Sequence, residues 1–390
     1  MKIIDGGVCA AKGFKAGSVR CGIKASRTND DTAIIFSECE CTAAATYTMN
    51  RVKAAPLYVT MEHLEDGVAR AIVANAGNAN ACALDGMENA RRMAQAAAKL
   101  LGVAETDVAV ASTGVIGQRL NIECIEEHLP ELVLEDNASE PKTAAVEFTI
   151  GGKTCRIGGI CKGSGMIHPN MGTMLSFITT DCAITHEMLT DALQENVKKT
   201  YNRVTVDGDT STNDMCIVLA NGMAGNTLIE WQDEEYQAFC KALNEVNTRL
   251  ARQIAADGEG VTKLVTCTVK NSRSEEAAER LAKAVVGSNL VKAAMFGADA
   301  NWGRVLCAMG YSKAPFRPEY VSVAFESAAG SVAVCDKGAA LDFDEDLAKK
   351  VLSENEVTIA VDVNEGEDSA TAWGCDLTYD YVKINGDYRT

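Results

Sequence analysis

Apolar residues recur three or four positions apart in several stretches of the chain, which is the spacing of one face of an α-helix. The clearest stretch runs from Asp233 to Ala256, and a second runs from Gly86 to Leu101 with Gly102 as its predicted C-cap. A third runs from Glu275 to Val286. Further predicted helices cover residues 121–134, 186–201 and 344–352.

Shorter runs of apolar and β-branched residues, bounded by glycine and polar turn residues, predict β-strands between these helices. The predicted strands cover residues 31–36, 42–48, 71–74, 107–111, 154–161, 174–181, 264–269, 321–325, 357–363 and 371–377. Helices and strands that alternate in this way indicate an α/β or α+β fold. A chain of 390 residues is long enough for two or three domains.

Charge and cysteine usage narrow the class of protein. The net charge of −17 argues against nucleic acid or an anionic membrane as a partner. The fifteen cysteines include no Cys-x-x-Cys pair, and most lie in apolar runs. They are interpreted as small buried thiols in a reducing cytosol, and no metal site is predicted.

Targeting and membrane signals are not recognised in the sequence. The first residues contain no long apolar stretch, so no signal peptide is expected. No run of eighteen apolar residues occurs, so no membrane-spanning helix is expected either. A cytoplasmic protein is therefore predicted.

A glycine-marked loop leads into the buried strand that starts at Met174, and Thr173 lies at the junction. A small residue before a threonine leaves room for the strained peptide that self-cleavage requires. Cleavage between Gly172 and Thr173 would free an α-amino group with an ordinary pKa of about 7.7–8.0. Such an amine can act as general base for the adjacent hydroxyl. Locally, however, the same residues are also compatible with a simple turn.

The sequence around this junction decides between the two interpretations. Residues 162–175 read Lys-Gly-Ser-Gly-Met-Ile-His-Pro-Asn-Met-Gly-Thr-Met-Leu. This stretch resembles the processing site of the bifunctional glutamate/ornithine N-acetyltransferase family of arginine biosynthesis, with Gly172 in place of the usual alanine. At least four further segments resemble the same family, including the asparagine-rich loop 75–81, so the likeness covers essentially the whole chain.

The resemblance implies a fold and a processing event. The expected architecture is an α/β/β/α sandwich of stacked sheets of the N-terminal-nucleophile type, followed by a smaller α+β domain. We therefore predict a catalytic domain over 1–274 and a C-terminal domain over 275–390. Self-cleavage would give an α chain of residues 1–172 and a β chain of residues 173–390, assembled as α2β2 or larger.

The resemblance also implies the catalytic groups. Thr173 would be the nucleophile that carries the acetyl group from N2-acetyl-L-ornithine to L-glutamate. Thr113 and Gly114, which follow a predicted strand, would form the oxyanion hole. The residues alone favour a turn at a strand end over an oxyanion hole.

Substrate-binding residues follow from the same resemblance. Lys162 is a fixed cation that suits a substrate carboxylate, and Glu259, between two glycines, suits an ammonium group. Ser139 replaces a family threonine that contacts substrate. Asn385 and Thr390 match a C-terminal tail that folds back onto the substrate. No cofactor is expected, and the sequence leaves open whether acetyl-CoA also serves as a substrate.

Three alternatives to an acetyltransferase are compatible with parts of the sequence. An N-terminal-nucleophile amidohydrolase or aminopeptidase of the same superfold would transfer the acyl group to water. A binding protein that has lost processing is a second alternative, suggested by Gly172. A serine triad is poorly supported, because Ser164 lacks its usual frame and His63, His128 and His186 fall in helices predicted to lie at the surface. The run 207–214 lacks the spacing of an EF-hand calcium loop.

Overall fold

The computed structural model describes residues 1–24, 28–136, 142–168 and 174–386. The chain forms two compact units. The first unit consists of Met1–Lys162, Pro169–Asn202 and Thr210–Leu250. The second consists of Gly163–His168, Arg203–Asp209 and Ala251–Thr390. Each unit has its own β-sheet, and this confirms the predicted mixed α/β class.

The first unit contains a nine-stranded mixed sheet in the order β1-β6-β7-β8-β9-β3-β4-β5, with β2 paired to β3. Its strands are β1 (Lys2–Ile4), β2 (Phe14–Val19), β3 (Thr32–Tyr47), β4 (Val68–Asn78), β5 (Val108–Val115), β6 (Thr143–Ile150), β7 (Lys153–Lys162), β8 (Leu175–Thr180) and β9 (Met215–Ala220). The pairs β4–β5 and β8–β9 are parallel, and the other pairs are antiparallel.

Both faces of this sheet are covered by apolar clusters. Successive side chains of a strand point to opposite faces, so consecutive apolar residues contribute to both clusters. Ile35 and Ala109 belong to one buried cluster, whereas their neighbours Ile34 and Val110 belong to another. The helices in this part of the chain are α1 (Ala55–His63), α2 (Gly86–Leu101), α3 (Ile122–His128), α4 (His186–Lys199) and α5 (Glu234–Ala256). The last turns of α5, from Ala251 onward, belong to the second unit.

The long periodic segments of the sequence form the helices that were predicted. Helix α2 has the predicted bounds, and Gly102 closes it with φ +67 while its N–H donates to the carbonyl of Ala98. Helix α4 begins behind Thr185, whose side chain accepts a hydrogen bond from the N–H of Met188. Strand β8 is buried at all six positions, as the apolar run predicted.

The second unit contains a six-stranded sheet in the order β13-β12-β11-β14-β10-β15. Its strands are β10 (Leu264–Ser272), β11 (Ser322–Ser327), β12 (Gly330–Asp336), β13 (Ala339–Ala340), β14 (Glu356–Asp362) and β15 (Asp368–Cys375). Its helices are α6 (Glu275–Gly287), α7 (Asn289–Phe296), α8 (Trp302–Tyr311), α9 (Glu345–Leu352) and α10 (Tyr379–Gly386). Leu281, Val285 and Phe325 are among the residues of its own fully buried core.

Several local predictions were wrong. The two strands expected over 31–48 are one strand, β3, because a bulge between Phe36 and Cys41 absorbs the intervening residues. The helix expected over 121–134 ends at His128, and a single 3-10 turn that contains Pro130 follows. Proline has no N–H with which to continue the helix. Strand β5 continues through Val115 where a turn was expected after Ala111.

The burial of one histidine differs from the prediction, whereas the burial of most cysteines agrees with it. His63, expected at the surface, is only 4% exposed, and its Nδ1 lies 2.8 Å from the carbonyl oxygen of Val108. It is buried because α1 packs against β5. All fifteen cysteines lie within the described ranges and are free thiols. Most are buried or partly buried, as predicted, and the exceptions are the exposed Cys82 and Cys307.

Among the described residues, no helix is both long and apolar enough to cross a membrane.

Candidate functional site

Two predicted site residues lie side by side on the paired strands β4 and β5 of the first unit. Thr113 is opposite Ala76, and Gly114 is opposite Gly77. Gly114 has φ +136, and a Cβ atom there would lie 2.3 Å from the carbonyl carbon of Gly77. Only glycine therefore fits at position 114. The ladder fixes both residues through the backbone.

Lys162 reaches this pair from the end of β7. Its Nζ donates a hydrogen bond of 3.0 Å to Thr113 Oγ1. An ammonium group can only donate, so the Thr113 oxygen accepts here and its own hydrogen is available for another acceptor. A positive charge next to the hydroxyl also favours a developing negative charge nearby. The structure thus brings three predicted residues together in an arrangement that suits an oxyanion.

The asparagine-rich segment 75–81 braces the same strand end. It was expected to be a loop, but β4 continues through Asn78 because residues 75–78 pair with β5. The Ser112 hydroxyl donates to Asn75 Oδ1 at 2.6 Å, and Asn75 Nδ2 donates to the carbonyl of Asn78 at 3.0 Å. Asn213 Nδ2 donates to the carbonyls of Ala79, at 2.6 Å, and of Ser112, at 2.8 Å. These side chains are buried. These contacts hold the backbone next to Thr113.

Strand β8 begins near this group of residues. Lys162 is paired with Leu175, which is two positions after Thr173 in the sequence. The carbonyl of Met174 accepts a 2.9 Å hydrogen bond from the N–H of Met215 in β9. The residue that follows Thr173 is therefore fixed in the first unit by the sheet. Thr173 itself, Gly172, Ser139 and Thr390 lie outside the described residues.

Glu259 and Asn385 meet in the second unit. Asn385 lies on α10, and its Nδ2 donates to Glu259 Oε2 at 2.9 Å and to the carbonyl of Tyr381 at 3.1 Å. The two side chains are 126 positions apart in the sequence. Glu259 is partly exposed, so its carboxylate can still accept a hydrogen bond from a ligand cation.

The turn that carries Glu259 is held by the residues that follow β15. Asp376 Oδ1 accepts from the N–H of Thr262 at 2.9 Å and from the N–H of Lys263 at 3.1 Å. The Thr378 hydroxyl donates to the carbonyl of Gly260 at 2.6 Å. Sequence reasoning missed both supporting residues, because nothing near them in the sequence marks them as partners of a turn more than a hundred positions earlier.

Lys263, which belongs to the same turn, is buried and hydrogen-bonded to backbone carbonyls. Its Nζ donates to the carbonyls of Met295, at 2.8 Å, and Leu352, at 2.6 Å. Burial lowers the pKa of this lysine, and the nearby Asp376 opposes that shift. The buried ammonium therefore ties α7 and α9 to the start of β10.

Comparisons with known proteins identify the family of this chain. A model of the ArgJ family matches residues 15–390. The arginine biosynthesis bifunctional protein ArgJ of Caldanaerobacter subterraneus subsp. tengcongensis is 49% identical over 405 residues, with all of both chains covered. The glutamate N-acetyltransferase of Methanocaldococcus jannaschii is 44% identical over 412 residues, again with all of both chains covered.

A solved structure is also similar. The crystal structure of the arginine biosynthesis bifunctional protein argJ from Bacillus halodurans is 44% identical, with a TM-score of 0.52. The match covers 55% of this chain and 99% of that chain. The family model and the full-length relatives place this protein among mixed α/β enzymes of amino-acid biosynthesis. The chain belongs to the ArgJ family.

Proposed function

We propose that this protein is a glutamate N-acetyltransferase that moves an acetyl group from N2-acetyl-L-ornithine to L-glutamate in arginine biosynthesis. The observation that carries this proposal is the contact of Lys162 with Thr113, next to Gly114, in a chain that the ArgJ family model matches over residues 15–390. Oxyanion stabilisation is what acyl transfer requires of a protein. Thr173 is proposed as the nucleophile on the resemblance around residues 162–175.

The first half-reaction forms an acetyl-enzyme. The α-amino group of Thr173 takes the proton of its own hydroxyl, and the oxygen attacks the acetyl carbonyl carbon of N-acetylornithine. The oxyanion accepts hydrogen bonds from the Thr113 hydroxyl and the Gly114 N–H. Collapse of the tetrahedral intermediate breaks the amide bond, and ornithine leaves with the proton that the α-amino group held.

The second half-reaction repeats these steps with glutamate as the attacking amine. The neutral α-amino group of glutamate attacks the acetyl carbonyl carbon of the Thr173 ester and passes one proton to the α-amino group of Thr173. The oxyanion then collapses, the C–O bond to Thr173 breaks, the Thr173 oxygen takes up that proton, and N-acetylglutamate leaves. Lys162 is proposed to bind the α-carboxylate that both substrates share, and Glu259 to bind an ammonium group. Asn385, Ser139 and Thr390 are proposed as further substrate contacts, the latter two on the resemblance alone.

Self-cleavage between Gly172 and Thr173 is part of the proposal. Residues 173–390 make up 218 of 390 residues, or 56% of the chain. The solved Bacillus halodurans chain, which is almost completely covered, matches 55% of this chain. That agreement in length supports a β chain that starts at Thr173. We further propose an α2β2 or larger assembly and a cytoplasmic location.

Acetyl-CoA is proposed as a second acetyl donor. A relative that is 49% identical over its whole length is called a bifunctional protein, which supports two activities in one chain. The acetyl thioester would acylate Thr173 through the same oxyanion, and free thiol would leave in place of ornithine. Formation of N-acetylglutamate from acetyl-CoA and glutamate, in the absence of N-acetylornithine, is the measurement that tests this.

The first experiment on the main proposal is the intact mass of the purified protein under denaturing conditions. Two polypeptides that divide at Gly172/Thr173 are expected, and Edman sequencing of the larger should start at threonine. Acetyl exchange from N-acetylornithine to glutamate should then exceed release of free acetate. A single uncut chain, or predominant acetate release, would contradict the proposed acetyltransferase and favour a binding protein or an amidohydrolase.

A further inference from the structure

Glu259 lies against a short turn, Ser164–His168, in the second unit. The N–H of Glu259 donates to the carbonyl of Ser164 at 2.8 Å. A Cβ atom at Gly165 would lie 2.4 Å from Glu259 Oε2 and 2.5 Å from its Cδ. The carboxylate thus packs directly on the backbone of Gly165. The position of this backbone therefore decides where the carboxylate can lie.

Asp207 holds that turn. Its Oδ2 accepts from the N–H of Met166 at 2.6 Å, and its Oδ1 accepts from the N–H of Ile167 at 2.8 Å. The neighbouring Val206 N–H donates to the carbonyl of Ile167 at 2.7 Å. Met166 has φ +57, a left-handed conformation that residues with a Cβ adopt only at a cost. The two hydrogen bonds to Asp207 compensate for that cost.

The charge of Asp207 also affects Tyr381, on the helix that carries Asn385. Burial raises the pKa of Tyr381 on α10 to about 12, and the charges of Asp207, Asp209 and Glu259 add to that shift. A side-chain hydrogen bond between Tyr381 and Asp207 contributes in the same direction. Asn385 in turn donates to the carbonyl of Tyr381 and to Glu259. The charge of Asp207 thus acts on the same helix whose Asn385 donates to Glu259.

We propose that Asp207 is a positioning residue for the Glu259 carboxylate. It fixes the turn that holds the Gly165 backbone against Glu259, through its hydrogen bonds to the N–H groups of Met166 and Ile167. Asp207 acts through these neighbours and does not itself take part in bond making. The inference rests on the proposed function, because it assumes that Glu259 binds the ammonium group of the amino-acid substrates.

The test is Asp207→Asn in the full-length, fully processed protein. Asparagine keeps one oxygen acceptor, but its NH2 group cannot accept from the N–H of Met166 or Ile167. The KM for glutamate should rise about tenfold, whereas kcat from the acetyl-enzyme should change less than about threefold. Asp209→Asn is the matched control, because it removes the same charge two positions away and should leave both constants near those of the wild type.

Two more variants separate positioning from a general loss of stability. Asp207→Asn combined with Met166→Gly should recover part of the KM, because glycine adopts the left-handed conformation without the support of Asp207. Gly165→Ala, with Asp207 intact, should raise the KM as Asp207→Asn does, because its Cβ displaces Glu259. If Asp207→Asn is not recovered as a folded, processed protein, Gly165→Ala decides the question.

An unchanged KM for glutamate in Asp207→Asn or in Gly165→Ala would overturn the inference. So would an equal rise of this KM in Asp209→Asn. Failure of Met166→Gly to lower the KM of Asp207→Asn would overturn it as well. These outcomes differ from failure of the proposed function, which would appear in the wild type as an uncut chain or as acetate release. An active wild type with an unaffected Asp207→Asn would remove only the positioning role.

Discussion

The two groups of predicted site residues are held in place in different ways. Thr113 and Gly114 are consecutive residues of β5, and the hydrogen bonds of the β4–β5 ladder position them. Glu259 lies on a turn beyond a helix, and its partner Asn385 comes from another helix 126 positions later. The first group is thus fixed by backbone and the second by side chains. Changes in the first should lower kcat, and changes in the second should raise KM.

The largest effect is expected for Gly114→Ala. Its Cβ would collide with the carbonyl carbon of Gly77 and push β5 away from β4, which would displace the proposed oxyanion donors. Loss of one such donor typically lowers kcat by about 10²–10³-fold. Gly117→Ala is the control, because Gly117 also has positive φ but has open space where its Cβ would be. Equal kcat values for the two variants would refute the backbone-fixed oxyanion hole.

A smaller effect, on a different constant, is expected for Glu259→Gln. A charged hydrogen bond is worth about 1.5–3 kcal/mol, so the KM for glutamate should rise by about 10- to 100-fold while kcat changes little. The amide oxygen can still accept from Asn385, so the turn should stay in place. Glu276→Gln, at an exposed ion pair with Arg280, serves as the control. A drop in kcat with an unchanged KM would contradict the assigned role of Glu259.

The smallest effect is a pH dependence of stability from His168, which is bonded through Nδ1 to Thr205 Oγ1 at 2.9 Å. Burial, helped by the charge of Lys283, lowers the pKa of His168 to about 4. The unfolded chain binds the proton below about pH 6.5 and the folded chain does not, so stability should fall between pH 6.5 and 4. We expect about 1–2 kcal/mol after allowance for partial exposure.

His168→Gln tests this in thermal unfolding measured from pH 7.5 to 4.5. The difference in Tm between wild type and variant should shift in favour of the variant as the pH falls. Lys283, whose pKa burial lowers to about 8, changes protonation at higher pH and contributes a constant amount in this range. A constant difference in Tm over the whole range would rule out the predicted contribution of His168.

Much of the fold could be predicted from the pattern of the sequence. Helix α2 and strand β8 lie where the apolar periodicity placed them, because their buried faces repeat without interruption. Helix α10 was not predicted, since none of its described side chains is buried and its sequence therefore carries no apolar face. The continuous strand β3 was missed because its bulge is a property of the pairing with β4.

The candidate site also has features that the sequence predicts and features that only the fold shows. The sequence by itself, through the motif at 162–175 and the pair Thr113–Gly114, determined which residues to consider, because these signals are contiguous. Only the tertiary structure decided that Lys162 donates to Thr113, that Gly114 admits no Cβ and that Asp207 holds the turn against Glu259. The physical reason is that such contacts join positions far apart along the chain. Local patterns encode burial and backbone conformation, whereas the partner of a polar side chain is selected when the chain folds.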